Sequence, residues 1–140
     1  MAKKNITQNN IESHDKNLFI SINDTAGAES PPYFSENRAN LKVMFFDDTD
    51  VDLYVNDKIK CRAFSEEQAK ELYEFIAANR DKESCIVHCA AGISRSGAVG
   101  AFVNDLFGEN FEKFKRNNPF ARPAGIVYMM LNRYHRSLEK

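Results

Sequence analysis

The apolar residues of the chain fall into short blocks whose spacing predicts strands and helices in alternation. Two dense apolar runs, over residues 16–22 and 41–46, predict buried strands. A third strand is predicted over residues 85–88, and it leads through a glycine-bearing loop into a helix of small residues that ends near Gly108. Because the Cys-Ile-Val run of this third strand is apolar throughout, we expect a central strand that is covered on both faces.

Two further helices are predicted from their first turns and from apolar residues at helical spacing. One opens at Ser65, because Ser65-Glu66-Glu67-Gln68 is a capping box with acidic residues in the first turn, and we expect it to stop at Asn79. The last begins near Arg122, with Pro123 in its first turn. The apolar residues predicted to line these helices are Ala69, Leu72, Tyr73 and Ile76 in the one, and Ile126, Val127, Met130, Leu131, Tyr134 and Leu138 in the other.

The remaining segments are predicted to be loops or short irregular elements. Residues 1–15 are polar and rich in Asn, so we expect a tail or an edge segment there, with the domain proper over residues 16–140. Residues 23–37 have the composition of a loop. Residues 51–63 lack a firm period and predict an extended or looped insertion, and residues 110–116 predict a short amphipathic turn or helix.

Length, charge and cysteine content limit the classes of protein that fit. The 140 residues suit one domain, and the formal net charge of -1 argues against a broad nucleic-acid or membrane footprint. Three cysteines do not make a secreted disulfide framework, and no apolar run reaches the roughly 18 residues of a membrane span. We therefore expect a soluble, cytoplasmic protein. We expect neither a metal nor another cofactor, because His14, His88 and His135 are scattered and no Cys or His pair has zinc-ligand spacing.

The candidate chemistry lies where the third strand passes through its loop into the helix. Cys89 follows the strand and Arg95 opens the helix, so both lie near backbone N–H groups that converge at a helix N-terminus. Such a position binds anions and lowers the pKa of a cysteine from about 8.5 to roughly 3.5–7.5. The guanidinium of Arg95 matches two oxygens of a phosphate. The loop therefore combines an attacking sulfur with a cradle for a tetrahedral anion.

The nonapeptide over residues 88–96, His-Cys-Ala-Ala-Gly-Ile-Ser-Arg-Ser, matches the pattern HCxxGxxR[ST]. It resembles the signature loop of the cysteine-dependent protein tyrosine phosphatases, most closely the compact dual-specificity branch of bacterial or viral type. The resemblance is weaker over residues 18–138. With the alternating strands and helices, it implies a three-layer α/β fold, in which helices cover both faces of a mostly parallel sheet of four or five strands.

The same resemblance implies a phosphocysteine mechanism. Cys89 attacks phosphorus, Arg95 holds the phosphate oxygens, and the hydroxyl of Ser96 steadies the sulfur as it departs. His88 has a mainly structural role in such a loop. The residues implied to bind phosphate, through backbone amides and the arginine side chain, are Ala90, Ala91, Gly92, Ile93, Ser94 and Arg95.

A general acid is needed as well, because a phosphomonoester leaving group departs as an alkoxide or phenoxide unless it is protonated. One positioned acid contributes about 10² to 10⁴ in rate. In the resembled family it is an aspartate on a loop after the strand that precedes the catalytic one, and the Phe-Phe-Asp-Asp-Thr segment is similar to that position. We expect Asp48 to be the acid and Asp47 to be the next candidate, with Asp50 and Asp57 as further alternatives.

The spacing of Cys85 and Cys89 in the sequence gives little support to a disulfide that would protect Cys89. Four residues of strand between Cys85 and Cys89 span roughly 13 Å, whereas the Cα atoms of a disulfide lie within roughly 7 Å. A bridge between them needs a rearranged backbone. Cys61 stays open as a partner, although an inert thiol is the commoner case.

The predicted function is the hydrolysis of phosphomonoesters, with a phosphorylated protein or peptide as substrate and partner. The alternatives are a phosphoinositide or RNA 5′-phosphatase and a catalytically weak module that binds phosphoproteins. Related lipid phosphatases carry lysines in the loop, whereas Ala90, Ala91, Ile93 and Ser94 suit a singly phosphorylated side chain. A rhodanese-like or arsenate-reducing protein fits less well, because the loop lies late in the chain. The sequence predicts neither the natural substrate nor the oligomeric state.

Overall fold

The computed structural model describes residues 10–25, 34, 36–89, 95–106 and 125–138. The strands in these ranges are β1 (Asn17–Asn23), β2 (Leu41–Phe45), β3 (Leu53–Val55), β4 (Lys58–Cys61) and β5 (Ser84–His88). The helices are α1 (Glu66–Ala78), α2 (Arg95–Leu106) and α3 (Gly125–Ser137). A short 3₁₀ helix, Ile11–His14, precedes β1. The described part of the chain is therefore of mixed α/β class, as predicted.

The strand β1 is the centre of a three-stranded parallel sheet with the order β2-β1-β5. Phe19 pairs with Leu41 on one side and with Ile86 on the other. The five interior residues of β1 are all buried, whereas residues 85–88 of β5 are only partly buried. Within the described ranges β5 is thus an edge strand and not the central strand that was predicted. It is covered on both faces, as expected, since Cys85 and Val87 pack on one side and Ile86 on the other. An apolar run shows that a strand is covered, but it does not fix the strand order.

The parallel sheet has three strands in the described part of the chain, fewer than the four or five predicted. The strands β3 and β4 form a separate antiparallel hairpin within the segment predicted to be extended or looped. Asn56 and Asp57 form its turn with φ angles of 52° and 65°. Two consecutive residues in the left-handed region suit a tight hairpin turn, and Asn and Asp tolerate this conformation better than most residues.

Two apolar clusters cover the two faces of the parallel sheet. The larger combines one face of β1, through Leu18, Ile20 and Ile22, with buried residues of all three α-helices. The smaller combines Phe19 on the opposite face with residues from outside these helices, namely Ile11, Phe34 and Leu41. The described α-helices therefore pack on one face of the sheet, and the predicted helices on both faces are not found within the described ranges.

The polar N-terminal segment contributes to the smaller cluster. Ile11 is fully buried, and the buried side-chain amide of Asn40 donates hydrogen bonds to the backbone oxygens of Ile11 and His14 at 3.0 and 3.1 Å. Residues 10–15 are therefore attached to the domain, and Ile11 is a core residue in a segment that was predicted to be a tail or an edge segment. Residues 1–9 lie outside the described ranges.

The helix α1 has the predicted ends and the predicted buried face. Ser65 is its N-cap, and both hydrogen bonds of the capping box with Gln68 are formed. Asn79 is the C-cap. The buried residues are Ala69, Leu72, Tyr73 and Ile76, as the spacing predicts.

The helix α3 packs against both α1 and α2. Its buried residues are Val127, Met130 and Leu131, and Ile126 and Tyr134 pack against them from partly exposed positions. Leu138, which was predicted to lie on the same side, follows the last helical residue and is 54% exposed. That prediction was wrong because the helix ends before the residue completes the apolar face.

Two predicted elements fall outside the described ranges: the turn or helix over residues 110–116 and the first turn of the last helix at residues 122–124. In the part of the chain that the structure describes, no helix combines the length and the apolar character needed to cross a membrane. Nor do the described Cys, His, Asp and Glu residues form a group of three or more that could hold a metal ion.

Candidate active site

Polar segments follow the three parallel strands at one edge of the sheet. Asp24 follows β1, Asp47 comes shortly after β2, and Cys89 follows β5. Because the three strands are parallel neighbours, their carboxyl ends lie at the same edge. The helix α2 begins there too, and its first residue, Arg95, contacts the ends of both β1 and β2. This edge of the sheet is the candidate site.

Cys89 lies at the end of β5 and belongs to the larger apolar cluster, with 7% of its surface exposed. Its Sγ is 3.4 Å from the Oγ of Ser96 in the first turn of α2. As a thiol, Cys89 donates to the hydroxyl oxygen. Once the thiol has lost its proton, the hydroxyl can donate to the sulfur instead. The structure therefore brings together two of the residues that the sequence singles out, the sulfur and the hydroxyl.

Arg95 is buried, with 5% of its surface exposed, although it carries a permanent charge. Its Nη1 donates to the backbone oxygen of Phe46 at 2.7 Å and lies 2.9 Å from Oδ1 of Asp24. A buried guanidinium needs such partners, because an uncompensated charge away from water is strongly destabilising. Arg95 is thus held at the strand ends, next to the helix turn that carries Ser96.

The residues between these groups, Ala90 to Ser94, lie outside the described ranges. The predicted cradle of backbone amides includes all of them. Within the described ranges, the candidate site therefore consists of the two ends of the loop, Cys89 and Arg95, with Ser96 and the strand ends around them. Arg95 and Ser96 open α2, and the positive end of its dipole lies at this edge of the sheet.

Asp47 joins three segments of the site through its carboxylate. The backbone amide of Thr25 donates to Oδ1 at 3.0 Å, and the amide of Arg62 donates to Oδ2 at 2.7 Å. The hydroxyl of Thr25 also donates to Oδ2. In return, the amide of Asp47 donates to the backbone oxygen of Arg62 at 2.7 Å. Asp47 thereby holds the end of β1 and the end of the β3–β4 hairpin against the end of β2.

These contacts keep Asp47 ionised. Burial raises the pKa of its carboxyl group, but the hydrogen bonds from Thr25 and Arg62 and the positive charge of Arg95 outweigh burial, so the pKa lies below its ordinary value. A general acid must carry a proton at the working pH. In this arrangement Asp47 is therefore a poor proton donor and a good structural anchor.

The other three candidate acids occupy different surroundings. Asp48 follows Asp47 directly and is exposed, and Asp50 is exposed two residues later. Asp57 lies in the turn of the hairpin. Of these three, Asp48 is the direct neighbour in sequence of Asp47, whose pKa is lowered by the charge of Arg95.

His88 and Cys89 pack on different sides of the sheet. The ring of His88 lies 6.2 Å from the ring of Phe34, which belongs to the smaller cluster, whereas Cys89 belongs to the larger one. Successive side chains of a strand point to opposite faces, so this separation follows from the backbone. The geometry favours a structural role for His88 over that of a base for Cys89.

None of the three cysteines forms a disulfide. Burial raises the pKa of Cys85 to about 12, which makes it a poor nucleophile at neutral pH. Cys61 lies on β4. No disulfide joins either of them to Cys89.

Sequence reasoning missed two residues at this edge, Asp24 and Thr25. One contacts Arg95 and the other binds Asp47. A signal was present, because a polar pair directly follows the apolar run of β1, and polar residues at the carboxyl ends of parallel strands commonly line sites. What the sequence did not supply was the strand order, which makes β1 the neighbour of both β2 and β5.

Comparison with protein-family models, with curated proteins and with solved structures found no match for this chain.

Proposed function

We propose that the protein is a phosphomonoester hydrolase that works through a phosphocysteine intermediate, as a protein tyrosine or dual-specificity phosphatase with the corresponding fold. One observation carries the proposal: the Sγ of Cys89 lies 3.4 Å from the hydroxyl of Ser96, and the buried guanidinium of Arg95 is the preceding residue of the same helix turn. A nucleophile, an anion-binding fork and a donor for the sulfur thus lie at the same edge of the parallel sheet.

In the first step, the thiolate of Cys89 attacks the phosphorus of the substrate. The new S–P bond forms as the bond between phosphorus and the ester oxygen breaks, and the electron pair leaves with that oxygen. Arg95 stabilises the negative charge on the equatorial oxygens, which is the main contribution a protein makes to phosphoryl transfer. The positive end of the α2 dipole acts in the same direction.

The departing oxygen takes a proton from a general acid, and Asp48 is our candidate. Asp47 is ionised by its hydrogen bonds with Thr25 and Arg62 and by the charge of Arg95. Asp48 is exposed at the next position and can meet a leaving group that arrives from solvent. In this assignment Asp47 anchors the segment and its neighbour supplies the proton.

In the second step, a water molecule attacks the phosphorus of phosphocysteine. The S–P bond breaks, inorganic phosphate forms, and the electron pair returns to the sulfur as a thiolate. The hydroxyl of Ser96 is close enough to Cys89 to donate a hydrogen bond to that developing charge. The same carboxylate that protonated the leaving group can accept the proton of the water.

A singly phosphorylated protein or peptide fits the surroundings of the site best. Four acidic residues follow β2 within seven positions, beside the strand end that contacts Arg95: Asp47, Asp48, Asp50 and Asp52. Negative charge beside the site disfavours polyanions such as RNA or inositol polyphosphates. The neutral side chains of the loop at Ala90, Ala91 and Ile93 point to the same class of substrate.

The test is the hydrolysis of p-nitrophenyl phosphate by the wild type and by Cys89→Ser, with Cys85→Ser in the preceding strand β5 as the matched control. We expect the Cys89 variant to lose activity and the Cys85 variant to keep it, and a quenched wild-type reaction to contain phosphate bound to Cys89. Phosphopeptides, an inositol phosphate and a 5′-triphosphorylated RNA, compared side by side, then define the substrate class.

Two results would contradict this function. Equal residual rates for the wild type and Cys89→Ser would leave, at most, a module that binds phosphoproteins without hydrolysing them. A preference for the RNA or the inositol phosphate over every phosphopeptide would refute the proposed substrate class while leaving the phosphocysteine chemistry in place.

A further inference from the structure

Asp24 makes a contact with Arg95 that the proposed chemistry does not yet use. The carboxylate follows the end of β1, and its Oδ1 is 2.9 Å from Nη1 of Arg95. The side chain of Asp24 is 44% exposed, whereas that of Arg95 is 6% exposed. The carboxylate therefore reaches from the surface towards a charge that is almost wholly enclosed.

The distribution of contacts on the guanidinium is uneven. Within the described ranges, both partners of Arg95 lie on the same nitrogen: Nη1 donates to the oxygen of Phe46 at 2.7 Å and pairs with Asp24. A guanidinium carries five N–H groups, of which Nη1 holds two. The oxygen of Phe46 thus accepts a hydrogen bond from Nη1, and the charge of Asp24 lies beside the same nitrogen.

The hydrogens of Nε and Nη2 form the other edge of the guanidinium. One hydrogen from each of these atoms points in the same direction, and this pair can bind two oxygens of a phosphate or carboxylate in parallel. A guanidinium whose Nη1 is fixed has little freedom to rotate this edge. An acceptor at Nη1 therefore determines where an anion can bind.

We propose that Asp24 is a positioning residue for Arg95: it fixes Nη1, together with the oxygen of Phe46, so that the Nε–Nη2 edge is presented to a tetrahedral oxyanion. The inference rests on the proposed function, since it takes the anion to be the phosphate of the substrate or product. It concerns the binding of that anion and not the transfer of the phosphoryl group.

A competing role for Asp24 is that of an internal anion that occupies Arg95 in place of phosphate. The closest approach argues against it, because it joins Oδ1 of Asp24 to Nη1, whereas an inhibitory carboxylate would take the Nε–Nη2 edge in place of phosphate. The two roles predict opposite effects of removing the carboxylate. Positioning predicts weaker binding of phosphate, and competition predicts tighter binding.

The experiment is calorimetric titration of the full chain with inorganic phosphate, for the wild type, Asp24→Asn and Asp24→Ala. Asn keeps an oxygen acceptor for Nη1 without the charge, whereas Ala removes the acceptor. We expect Asp24→Ala to weaken phosphate binding about tenfold or more and to raise the KM for p-nitrophenyl phosphate in parallel, because a misplaced fork loses bidentate contact. Asp24→Asn should stay within about threefold of the wild type.

Asp81→Ala serves as the control, since Asp81 is an exposed carboxylate shortly before β5 and thus near the opposite edge of the sheet. It should leave phosphate affinity unchanged. Removing the partner of a buried arginine also destabilises the fold, so thermal unfolding is followed for each variant. If Asp24→Ala does not fold, Asp24→Ser replaces it, because a serine hydroxyl is too short to reach Nη1 and the same loss of affinity is expected.

The outcomes separate this inference from the proposed function. Unchanged or tighter phosphate binding in a folded Asp24→Ala would overturn the positioning role, and so would an equal loss in Asp24→Asn, because charge rather than geometry would then be the cause. A wild type that binds phosphate but hydrolyses no phosphomonoester would refute the proposed function. The phosphate titrations of the Asp24 variants would still decide whether Asp24 positions Arg95. A wild type that binds no phosphate would refute both.

Discussion

The Sγ of Cys89 lies 3.4 Å from the Oγ of Ser96, across the two ends of the loop that joins β5 to α2. Both groups are buried, so a hydrogen bond between them is little weakened by water. In the proposed reaction the sulfur is an anion both before the attack on phosphorus and after the release of phosphate. Negative charge increases on the sulfur as the S–P bond breaks, so the hydroxyl is expected to act on the step in which the sulfur leaves.

Ser96→Ala should lower kcat by about 10- to 100-fold, the loss expected for one hydrogen bond to a charged group. Formation of phosphocysteine depends less on this hydroxyl than its breakdown does. Rapid mixing with p-nitrophenyl phosphate should then give a burst of nitrophenolate close to one per enzyme, followed by slow turnover. Ser137→Ala, an exposed serine at the end of α3, should behave as the wild type. A slower burst with no change in the later phase would assign Ser96 to the first step.

Asp48→Asn should harm substrates with poor leaving groups far more than those with good ones. An acid is required for an alkoxide, whereas nitrophenolate departs with little help, so the loss should approach about 10² to 10⁴ for alkyl phosphates and be much smaller for p-nitrophenyl phosphate. The measurement is kcat/KM across a series of phosphates with different leaving-group pKa values. Asp50→Asn is the matched control, as an exposed aspartate in the same segment. A uniform loss across the series would point to a different acid.

Asp47→Asn should destabilise the fold at neutral pH by about 1 to 2 kcal/mol, because Oδ2 accepts from both the hydroxyl of Thr25 and the amide of Arg62, and an amide NH₂ cannot accept. The pKa of Asp47 is lowered by folding. Its contribution is therefore present above the ordinary pKa of an unfolded aspartate and disappears as the pH falls through the lower, folded value.

Urea denaturation at pH 7 and at about pH 3 checks this linkage. The difference in unfolding free energy between the wild type and Asp47→Asn should shrink as the pH falls. A difference that grows towards low pH would show that the carboxylate is not stabilised in the folded state. Since Asp47 is proposed as an anchor, the variant should also keep the dependence on leaving group that marks an intact acid.

Cys85 should resist alkylation in the native protein. Burial raises its pKa to about 12, so at pH 8 only about one thiol in 10⁴ is ionised. Brief treatment with iodoacetamide, digestion and mass spectrometry should find Cys85 unmodified in the folded protein and modified after unfolding in urea. Rapid labelling of Cys85 under native conditions would show that its thiol is reactive and would contradict the prediction that it is inert.

The sequence predicted best what depends on neighbouring residues. The capping box at Ser65 and the buried face of α1 need only local information, and both were predicted correctly. The β3–β4 hairpin was missed because its turn is Asn56-Asp57, which lacks the glycine that usually marks such turns. Strand order could not be inferred, because it depends on pairings between segments that are distant in the chain.

The residues of the candidate site differ in the same way: local ones were predicted and distant ones were not. Cys89, Arg95 and Ser96 share one short motif, so a sequence pattern could find them together. Asp24 is 71 positions from Arg95 and joins it only because β1 lies next to β5. The structure supports Asp48 over Asp47 for a reason that the sequence pattern does not show. The hydrogen bonds that lower the pKa of Asp47 come from Thr25 and Arg62, which lie in segments on either side of it in the chain.

Ser65→Ala should lower the free energy of unfolding by about 1 kcal/mol. The hydroxyl of Ser65 accepts a hydrogen bond from the amide of Gln68 at 3.1 Å, and without it that amide at the start of α1 has to bind water instead. Chemical denaturation measures the loss. Ser65→Asp supplies the control, because Asp is an equally good cap and its charge suits the helix N-terminus, so its stability should stay within a few tenths of a kcal/mol of the wild type. Equal destabilisation by Ala and Asp would mean that the hydroxyl stabilises the segment by another route, such as its packing beside the end of β2, where Gln68 donates to the backbone oxygen of Phe45.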